Sequence, residues 1–403
     1  MRGPRDTRVC VVGLGYIGLP TAAVLASRGY TVHGVEVDAR AAEIINSGRA
    51  HIVEPDLDIL VRAAVETKKL EAHPRPAPAD VFILCVPTPV AAGHAPDLSY
   101  VEQATESICP VLRPGNLVIL ESTSPPGTTE MIAERVAQKT TLAPGEVHFA
   151  HAPERVLPGQ ILREVVQNDR IVGGIDARSG EVCAAFYRSF VAGEVHVTTA
   201  RMAETVKLVE NAFRDVNIAF ANELSVLAEA LDLDVWDLIK LANRHPRVNI
   251  LRPGPGVGGH CIAVDPWFLV HKAPELTPLI RQARETNSAK PKWVVERILR
   301  EAARFGRARI ACLGLAYKPD IDDLRESPAV EVVHELQHEG KHELRVVEPN
   351  LRAHPKFALM GLREALDGAD VIVFLVAHRE FKTLTPASLS DKVVIDTCGA
   401  LRP

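Results

Sequence analysis

The sequence predicts an α/β protein in which a long helix and a helical central domain join two Rossmann-like, doubly wound domains. Three observations predict this architecture. Apolar strands alternate with helical patterns in the first half of the 403 residues, one long helical periodicity follows, and the opening strand pattern returns near residue 309. A chain of this length is sufficient for two or three domains.

The chain opens with a strand, a glycine-rich turn and a helix. Residues 8–12 predict a buried parallel strand, and an apolar helix follows to about residue 28. The preceding arginines give this stretch a superficial similarity to a signal peptide, but glycines and Pro20 interrupt it and a second strand follows at residues 31–37. We therefore interpret the stretch as the first βα unit.

The glycines of this unit predict a dinucleotide site. Gly13, Gly15 and Gly18 would make a tight turn, admit a pyrophosphate and pack the helix on the strand. Glu36 ends the second predicted strand, where a carboxylate binds the ribose diol and repels a 2′-phosphate. The cofactor we expect is therefore NAD and not NADP. Asp38 is a rival for the role of Glu36, and a solvated acid at a strand end is the ordinary alternative.

Two turns follow later strands, at the sheet edge where ligands bind in such folds. The strands are predicted at residues 81–86 and 117–121, and the turns are Pro87-Thr88-Pro89 and residues 122–128, with Thr123. Proline pairs stiffen these turns and leave hydroxyl groups toward a crevice. Taken alone, ordinary turn chemistry is the better interpretation of both.

A long helix begins near residue 202. Its apolar residues are three or four apart and predict a helix of roughly 45 Å, suited to a spine and a subunit interface: Val206, Val209, Phe213, Val216, Phe220, Leu224 and Leu227. Lys207, Asn211 and Arg214 share another face, with Glu204 as the only acid within reach. A solvated basic stripe is the ordinary interpretation, whereas a buried Lys–Asn pair would stabilise an oxyanion.

Cys261 ends a glycine-rich loop, residues 254–261, and precedes Asp265 by four positions. Glycines let a backbone approach a ligand closely, and a nearby carboxylate can take the proton of a thiol or orient a water. Beside a dinucleotide site, such a thiol suggests oxidation through a thioester. A buried free cysteine is the ordinary alternative. His260 adjoins the thiol, but neighbouring loop residues point apart, so we expect it to be structural or to face the substrate.

The C-terminal part repeats the opening pattern. After a helical stretch at residues 276–305, residues 309–317 echo residues 8–16, and strands are predicted at 344–347, 371–375 and 393–395. This second turn continues Lys318-Pro319-Asp320 where the first has Ile-Gly, so the third glycine is missing, which disfavours a dinucleotide. A cation at this turn suits a different phosphate. Several scattered cations are able to collect around a diphosphate: Arg155, Arg244, His245, Arg247, Lys318 and Arg325.

Composition excludes several classes of function. A net charge of −5 provides no basic field for nucleic acid. The seven cysteines are scattered and form no CxxC pair or Cys/His cluster, so we expect no disulfide framework, no metal site and a reducing, cytoplasmic location. No run reaches 18 apolar residues, so no membrane span is expected.

Together these motifs resemble the nucleotide-sugar 6-dehydrogenases, the family of UDP-glucose and GDP-mannose dehydrogenases, over essentially the whole chain. The resemblance is carried by Gly-Leu-Gly-Tyr-Ile-Gly-Leu-Pro at 13–20, by residues 87–89, 122–127, 152–159 and 318–328, by Lys207 with Asn211, and by Gly-Gly-His-Cys at 258–261 with Asp265. Residues 245–251 and 261–268 look most like the UDP-N-acetyl-D-mannosamine branch.

The resemblance implies three parts: an NAD-binding Rossmann domain at residues 1–198, a central helical domain for dimerisation with the cysteine loop at 199–304, and a UDP-binding Rossmann-like domain at 305–403. It implies a homodimer through the central helix and four-electron oxidation of C6 of a UDP-sugar. Cys261 would carry a thiohemiacetal and then a thioester. The expected substrate is UDP-N-acetyl-D-mannosamine, with UDP-N-acetylglucosamine or UDP-glucose as alternatives.

The resemblance also implies residue roles. Cys261 would be the nucleophile, and Lys207 the proton donor and acceptor or oxyanion stabiliser beside Asn211. Asp265 and Thr123 would handle the hydrolytic water or polarise the thiol. Contacts to NAD would come from the three glycines, Tyr16, Ile17, Glu36, Thr88, Thr123 and Arg325. Contacts to the nucleotide sugar would come from Arg155, Val156, Lys207, Asn211, Arg214, His245, Arg247, Gly258, Tyr317 and Lys318, with Arg247 reaching across the dimer.

Two positions depart from the family pattern. Pro158 stands where the UDP-glucose branch has a glutamate, so the role of that acid in hydrolysis passes elsewhere, and we assign it to Glu154. Cys398 stands where the mannosamine branch has a basic residue, which removes one substrate contact. Two other classes remain open: a two-electron hydroxyl dehydrogenase in which Cys261 is structural, and a non-catalytic NAD- or nucleotide-binding protein.

Overall fold

A computed structural model describes residues 3–157 and 159–402, which divide into two compact units between Val209 and Glu210. The first unit is built on one sheet. Its strands are Arg8–Val12 (β1), Thr31–Val35 (β2), Leu70–His73 (β3), Val81–Leu84 (β4), Leu117–Leu120 (β5), His148–His151 (β6), Arg170–Gly174 (β7) and Val195–Thr199 (β8). They lie in the order β3-β2-β1-β4-β5-β6-β7-β8, so the chain changes direction across the sheet between β1 and β4.

Helices pack on this sheet and bury its central strands. They are Gly18–Ser27 (α1), Ala39–Asn46 (α2), Leu57–Glu66 (α3), Ser99–Ile108 (α4), Thr128–Lys139 (α5), Ile161–Gln167 (α6) and Ala177–Tyr187 (α7). Alternate residues of β1 belong to two different cores, because successive side chains of a strand point to opposite faces. Val9 and Val11 join the core of α1 and α3, whereas Cys10 and Val12 join that of α4 and α5.

The prediction of a parallel sheet is wrong at one junction. β6 and β7 pair antiparallel, with Ala150 opposite Gly174, whereas the other pairs of this sheet are parallel. A parallel neighbour needs a crossover that carries the chain back along the sheet. The connecting helix α6 has seven residues, a rise of only about 10 Å, and β7 begins three residues after it ends.

The second unit contains a smaller sheet, which is wholly parallel. Its strands are Arg309–Leu313 (β9), Glu343–Val347 (β10), Val371–Phe374 (β11) and Val393–Asp396 (β12), in the order β10-β9-β11-β12. The helices are the remainder of Ala200–Ala230 (α8), then Val235–Ala242 (α9), Asp265–Lys272 (α10), Pro278–Ala302 (α11), Pro328–Glu339 (α12) and Leu362–Leu366 (α13). The predicted fold class, two Rossmann-like sheets linked by a long helix, is confirmed.

Helix α8 has 31 residues and crosses the division between the units. Its buried face is rich in polar side chains, namely Glu204, Lys207, Asn211, Asp215 and Asn222. Its exposed face carries an apolar row that we call the outer stripe, made of Met202, Val209, Phe213, Phe220 and Leu227. The described residues include no helix that is both long and apolar enough to span a bilayer.

Candidate active site

The three glycines of the first turn, Gly13, Gly15 and Gly18, have different surroundings. Gly13 has φ +91°, and a Cβ on it would lie 2.6 Å from the carbonyl oxygen of Cys85. A Cβ on Gly18 would lie 1.8 Å from the carbonyl oxygen of Gly13, so the turn closes only without side chains. A Cβ on Gly15 would meet no heavy atom within 4 Å. The turn is therefore open at Gly15, just before the N-terminus of α1, and these residues fit a pyrophosphate.

Glu36 and Asp38 have different environments. The Glu36 carboxylate accepts hydrogen bonds from the amides of Leu14 (3.2 Å) and Asp38 (3.0 Å), so it lies beside the glycine turn and stays half-exposed. Asp38 caps α2, accepting from the amides of Arg40 (2.9 Å) and Ala41 (3.3 Å). Asp38 is thus directed to the start of α2, whereas Glu36 lies beside the glycine turn, and this placement favours Glu36 as the acid that faces a ribose.

The turns that contain Thr88 and Thr123 are joined directly. The Thr88 hydroxyl donates to the carbonyl of Thr123 (2.7 Å), and the Ser122 hydroxyl bonds to the carbonyl of Val86 (2.7 Å). Each hydroxyl group thus binds a backbone carbonyl of the other segment, which is the structural role that Ser and Thr commonly have in turns. The turns lie at the carboxyl ends of β4 and β5, the edge that carries the Gly13 turn.

A buried network under these turns escaped the sequence analysis. Glu121 at the end of β5 accepts from the hydroxyls of Thr21 (3.3 Å) and Tyr187 (3.2 Å) and from the thiol of Cys85 (3.0 Å). Arg170 of β7 lies 3.9 Å from Glu121. Burial and the negative charge of Glu154 raise the pKa of Glu121. The network ties together β5, α1, α7 and Cys85, the residue that follows β4.

Glu154, our candidate for hydrolysis, is part of this network. Its side chain is buried and forms an ion pair with the buried guanidinium of Arg170, and its other oxygen accepts from the Arg155 amide (2.9 Å). Removing one partner of such a pair leaves an uncompensated buried charge. The arrangement favours a structural role, and the hydrolytic role stays a prediction.

Glu204 does not act as the acid of the Lys207 face. It accepts hydrogen bonds from the amides of Gly127 (2.6 Å) and Thr129 (2.8 Å) and from the Thr129 hydroxyl (2.6 Å). These groups lie at the first turn of α5, where an acid satisfies amides that lack helical partners. Asp215 is a second buried acid on this side of α8, so the expectation of a single acid is wrong.

Lys207 and Asn211 are both buried, at 9% and 8% exposure, one turn apart on α8. Arg214 is exposed, so the predicted set of three divides into a buried pair and a surface cation. Burial and, to a smaller extent, the charge of Lys207 lower the pKa of His151 to about 3, so its ring is neutral. His151, at the end of β6, is a residue that the sequence analysis did not identify.

Cys261, Asn211 and Asp265 come together in the second unit. The Cys261 carbonyl accepts from the amides of Val264 (3.0 Å) and Asp265 (2.8 Å), which starts α10. The buried Asp265 carboxylate accepts from the Asn211 side chain at 2.5 Å. Cys261 itself is exposed, which rules out the alternative of a buried core cysteine.

The glycine loop before Cys261 is held by three elements of the second unit. The Gly254 amide donates to Asn222 of α8 (2.8 Å), and the Gly259 amide to the carbonyl of Arg325 (3.0 Å). A Cβ on Gly256 would lie 2.8 Å from Pro328. Asn222 also donates to Asn287 of α11 (2.9 Å). The loop is therefore anchored at both ends, and at Gly256 it leaves no room for a side chain.

The remaining predicted residues lie in several places. Arg325 forms an ion pair with Asp323 at 2.6 Å, and Tyr317 and Lys318 are half-buried in the turn after β9. His245 and Arg247 are exposed on a loop closed by two hydrogen bonds between Asn243 and Ile250 (3.0 and 2.7 Å).

Arg155 donates to the carbonyl of Asp169, and Val156 packs at the edge of the first core. Cys398 lies 3.7 Å from Asp396. Pro158 lies outside the described residues. Among the described residues no group of three or more His, Cys, Asp or Glu is arranged to hold a metal.

Three sequence models of the UDP-glucose/GDP-mannose dehydrogenase family match the chain: the NAD binding domain over residues 7–191, the central domain over 201–289 and the UDP binding domain over 311–403. An NDP-N-acetyl-D-galactosaminuronic acid dehydrogenase from Ralstonia nicotianae is 53% identical over 97% of this chain and 95% of that protein. A UDP-N-acetyl-D-mannosamine dehydrogenase from Campylobacter jejuni is 52% identical over 96% and 98%.

The fold agrees with these matches. The solved structure of a UDP-D-ManNAc dehydrogenase from Pyrococcus horikoshii has a TM-score of 0.91 and 43% identity, covering 98% of this chain and 96% of that one. A UDP-glucose dehydrogenase from Pyrobaculum islandicum has a TM-score of 0.89 at 27% identity and covers 100% and 97%. The chain thus belongs to the UDP-glucose/GDP-mannose dehydrogenase family and is an NAD-dependent oxidoreductase.

Proposed function

We propose that this dehydrogenase oxidises C6 of a UDP-sugar from the alcohol to the carboxylate, a four-electron reaction. The observation that carries the proposal is the exposed thiol of Cys261 one helical turn from the buried Asp265–Asn211 pair. Family membership supplies the substrate class. A thiol that binds the aldehyde covalently lets one site carry out two oxidations without releasing the intermediate.

NAD would supply the oxidant when bound, one molecule for each of the two hydrides that leave C6, while Lys207 takes the proton released from the oxidised hydroxyl group. Between the oxidations the Cys261 sulfur forms a bond to the aldehyde carbon, which gives a thiohemiacetal. Loss of the second hydride converts this adduct to a thioester, and water then cleaves the C–S bond and releases the acid and the thiol. Lys207 and Asn211 stabilise the oxyanion on C6, the role for which buried donors are most effective.

Hydrolysis needs a group that orients or deprotonates water, and we assign it to Asp265 with Thr123. The hydrogen bond from Asn211 fixes the Asp265 carboxylate, and Asp265 begins α10 four residues after the nucleophile. Glu154 is less suited, because its ion pair with Arg170 is buried.

We assign NAD binding to the Gly13, Gly15 and Gly18 turn with Tyr16 and Ile17, and to Glu36, Thr88, Thr123 and Arg325. We assign the nucleotide sugar to Arg155, Val156, Lys207, Asn211, Arg214, His245, Arg247, Gly258, Tyr317 and Lys318. The three segments matched by family models support domains at residues 1–198, 199–304 and 305–403. The scattered cysteines of the sequence, which include no CxxC pair, support a reducing compartment, the cytoplasm.

A homodimer through α8 is part of the proposal. The outer stripe leaves Phe213 68% and Phe220 50% exposed, and an apolar row of this length on one helix is typical of an interface. The same helix of a second copy is a natural partner in a two-fold contact. The exposed Arg247 would then reach the sugar site of the neighbouring subunit.

The proposed sugar is UDP-N-acetyl-D-mannosamine, which would give UDP-N-acetyl-D-mannosaminuronate. The Campylobacter jejuni relative and the match in the solved structures support it. A reaction that yields an N-acetyl-D-galactosaminuronic acid is the second candidate, because the Ralstonia nicotianae relative has nearly the same identity.

A substrate panel tests the proposal: UDP-linked N-acetylmannosamine, N-acetylgalactosamine, N-acetylglucosamine and glucose, with GDP-mannose as the control for the base. For the true substrate we expect two NADH per sugar consumed and no free aldehyde, measured by absorbance and mass spectrometry. One NADH with accumulating aldehyde would contradict the thioester route, and no turnover with any sugar would contradict the activity.

A further inference from the structure

The second sheet repeats the first down to individual hydrogen bonds. The Gly13 amide donates to the carbonyl of Val35 at the end of β2 (2.9 Å), and the Gly314 amide donates to that of Val347 at the end of β10 (2.8 Å). An acid follows each of these strands. As Glu36 accepts from the Leu14 amide, so Glu348 accepts from the amides of Leu315 (2.7 Å) and Ala316 (3.0 Å). Glu348 is therefore the counterpart of Glu36.

The two acids differ in their burial and in their side-chain partners. Glu36 is half-exposed, whereas Glu348 is 4% exposed and lies 3.1 Å from Nε2 of the fully buried His378. Burial raises the pKa of Glu348, but hydrogen bonds from His378 and from the amides of Leu315 and Asn350 lower it to about 2. Glu348 is thus a carboxylate with its acceptor sites engaged by protein, and it has none to offer a ribose.

His378 extends this pairing to the far end of the same turn. Its Nδ1 accepts from the backbone amide of Asp320 at 2.9 Å, so the ring proton resides on Nε2 and points to Glu348. Asp320 has φ +63°, a left-handed conformation that costs energy for a residue other than glycine. Its side chain accepts from the Arg379 amide (3.0 Å). Glu348 and His378 therefore hold the turn at residues 315–316 and again at 320.

The turn held in this way contacts the loop of the nucleophile. A Cβ on Gly258 would lie 2.8 Å from Cβ of Tyr317, and one on Gly259 would lie 2.8 Å from Cε2 of the same ring. Gly259 is two residues before Cys261. The position of Tyr317 therefore limits the position of the cysteine loop, because the two surfaces pack without room for a methyl group.

We propose that Glu348 and His378 are positioning residues that set the turn at residues 314–320 for two purposes. Through Tyr317 and Lys318 they shape the surface that receives the uridine diphosphate, and through Tyr317 they fix the approach of the Cys261 loop. They touch neither the substrate nor the reacting atoms. The role in UDP binding rests on the proposed function, whereas the role in placing the Cys261 loop does not.

The test uses His378→Ala, His378→Gln and Glu348→Gln in the full-length enzyme. A glutamine at position 378 keeps a donor for Glu348, so it should rescue part of the effect. The matched control is Asp370→Asn, which removes a carboxylate that accepts from the Arg309 amide (2.8 Å). Asp370 lies just before β11, at the amino ends of the strands, whereas Glu348 lies at their carboxyl ends. Three quantities are measured: UDP affinity by calorimetry, the rate of Cys261 alkylation by iodoacetamide followed by peptide mass spectrometry, and KM for NAD.

We expect His378→Ala to weaken UDP binding about tenfold or more and to change the alkylation rate several-fold, the scale of effect that small displacements produce. KM for NAD should stay within about twofold of the wild type, as should all three quantities in Asp370→Asn. If His378→Ala does not fold, the two glutamine variants carry the same test.

Wild-type UDP affinity and alkylation rate in all three variants would overturn the proposal. An equal loss in Asp370→Asn would also overturn it, because the effect would then be general destabilisation. A wild type that does not bind UDP would contradict the proposed function, and an unchanged alkylation rate in His378→Ala would then overturn the second purpose as well.

Discussion

At the scale of single residues, the thiol of Cys261 has the most direct consequence. Cys261→Ala should abolish formation of the acid, because no thioester forms without the sulfur. The residue is exposed on a glycine loop, so the variant should fold with a wild-type melting temperature. The measurements are acid formation by mass spectrometry and thermal unfolding. Wild-type turnover in the alanine variant would return Cys261 to a structural role and favour a two-electron dehydrogenase.

The acids after β2 allow a comparison of matched variants. Glu36→Ala should weaken NAD binding and narrow the preference for NAD over NADP, because the carboxylate that repels a 2′-phosphate is lost. Asp38→Ala should leave the preference unchanged and lower stability by about 1 kcal/mol, as expected for loss of a helix cap. Titration of both cofactors checks this prediction. A larger change of preference in Asp38→Ala would show that we have assigned the wrong acid.

The residues that the sequence predicted least well are the buried acids. Glu154 lies in a family motif and Glu204 was expected to serve the Lys207 face, but the first pairs with Arg170 and the second satisfies amides at the start of α5. Their partners are 16 and about 75 positions away along the chain. Only the folded chain brings such pairs together, so spacing did not indicate them. The position of Glu36 beside the glycine turn was predictable because it depends on one strand and one turn.

At the scale of elements, α8 is the clearest case of an element that could be predicted from a local sequence pattern. The spacing of its apolar residues predicted one uninterrupted helix, and the structure confirms it at Ala200–Ala230. The antiparallel pairing of β6 and β7 was not predictable in the same way, since strand direction depends on the path of the connection and not on the composition of the strands.

The outer stripe leads to a prediction about assembly. Phe220→Asp places a charge in the proposed interface, so we expect a monomer with greatly reduced activity. Because Phe220 is already half-exposed in the single chain, the variant should still fold. The control is Leu279→Asp, which changes an apolar residue that is 67% exposed on a different helix, α11. Light scattering gives the mass of each, and a fully active wild-type monomer would contradict both the interface and the shared site.

At the scale of the whole molecule, the sequence was sufficient for the fold class, the family, the enzyme class and NAD, all of which are confirmed. These properties depend on short motifs whose chemistry is local, such as the Gly13 turn and its echo at Gly314. The sugar is different. Epimers and acetamido groups are distinguished by the shape of several loops at once, and relatives of almost equal identity bear the names of different sugars.

Helix α8 has a further consequence for the energetics of the chain. A surface helix ordinarily gains its stability by turning apolar side chains toward its own core. Here much of that apolar area faces outward, while the inward face makes hydrogen bonds whose net contribution is modest. If a second copy covers the outer stripe, the free energy of association becomes part of the free energy of folding. Dilution would then act on this protein as a mild denaturant.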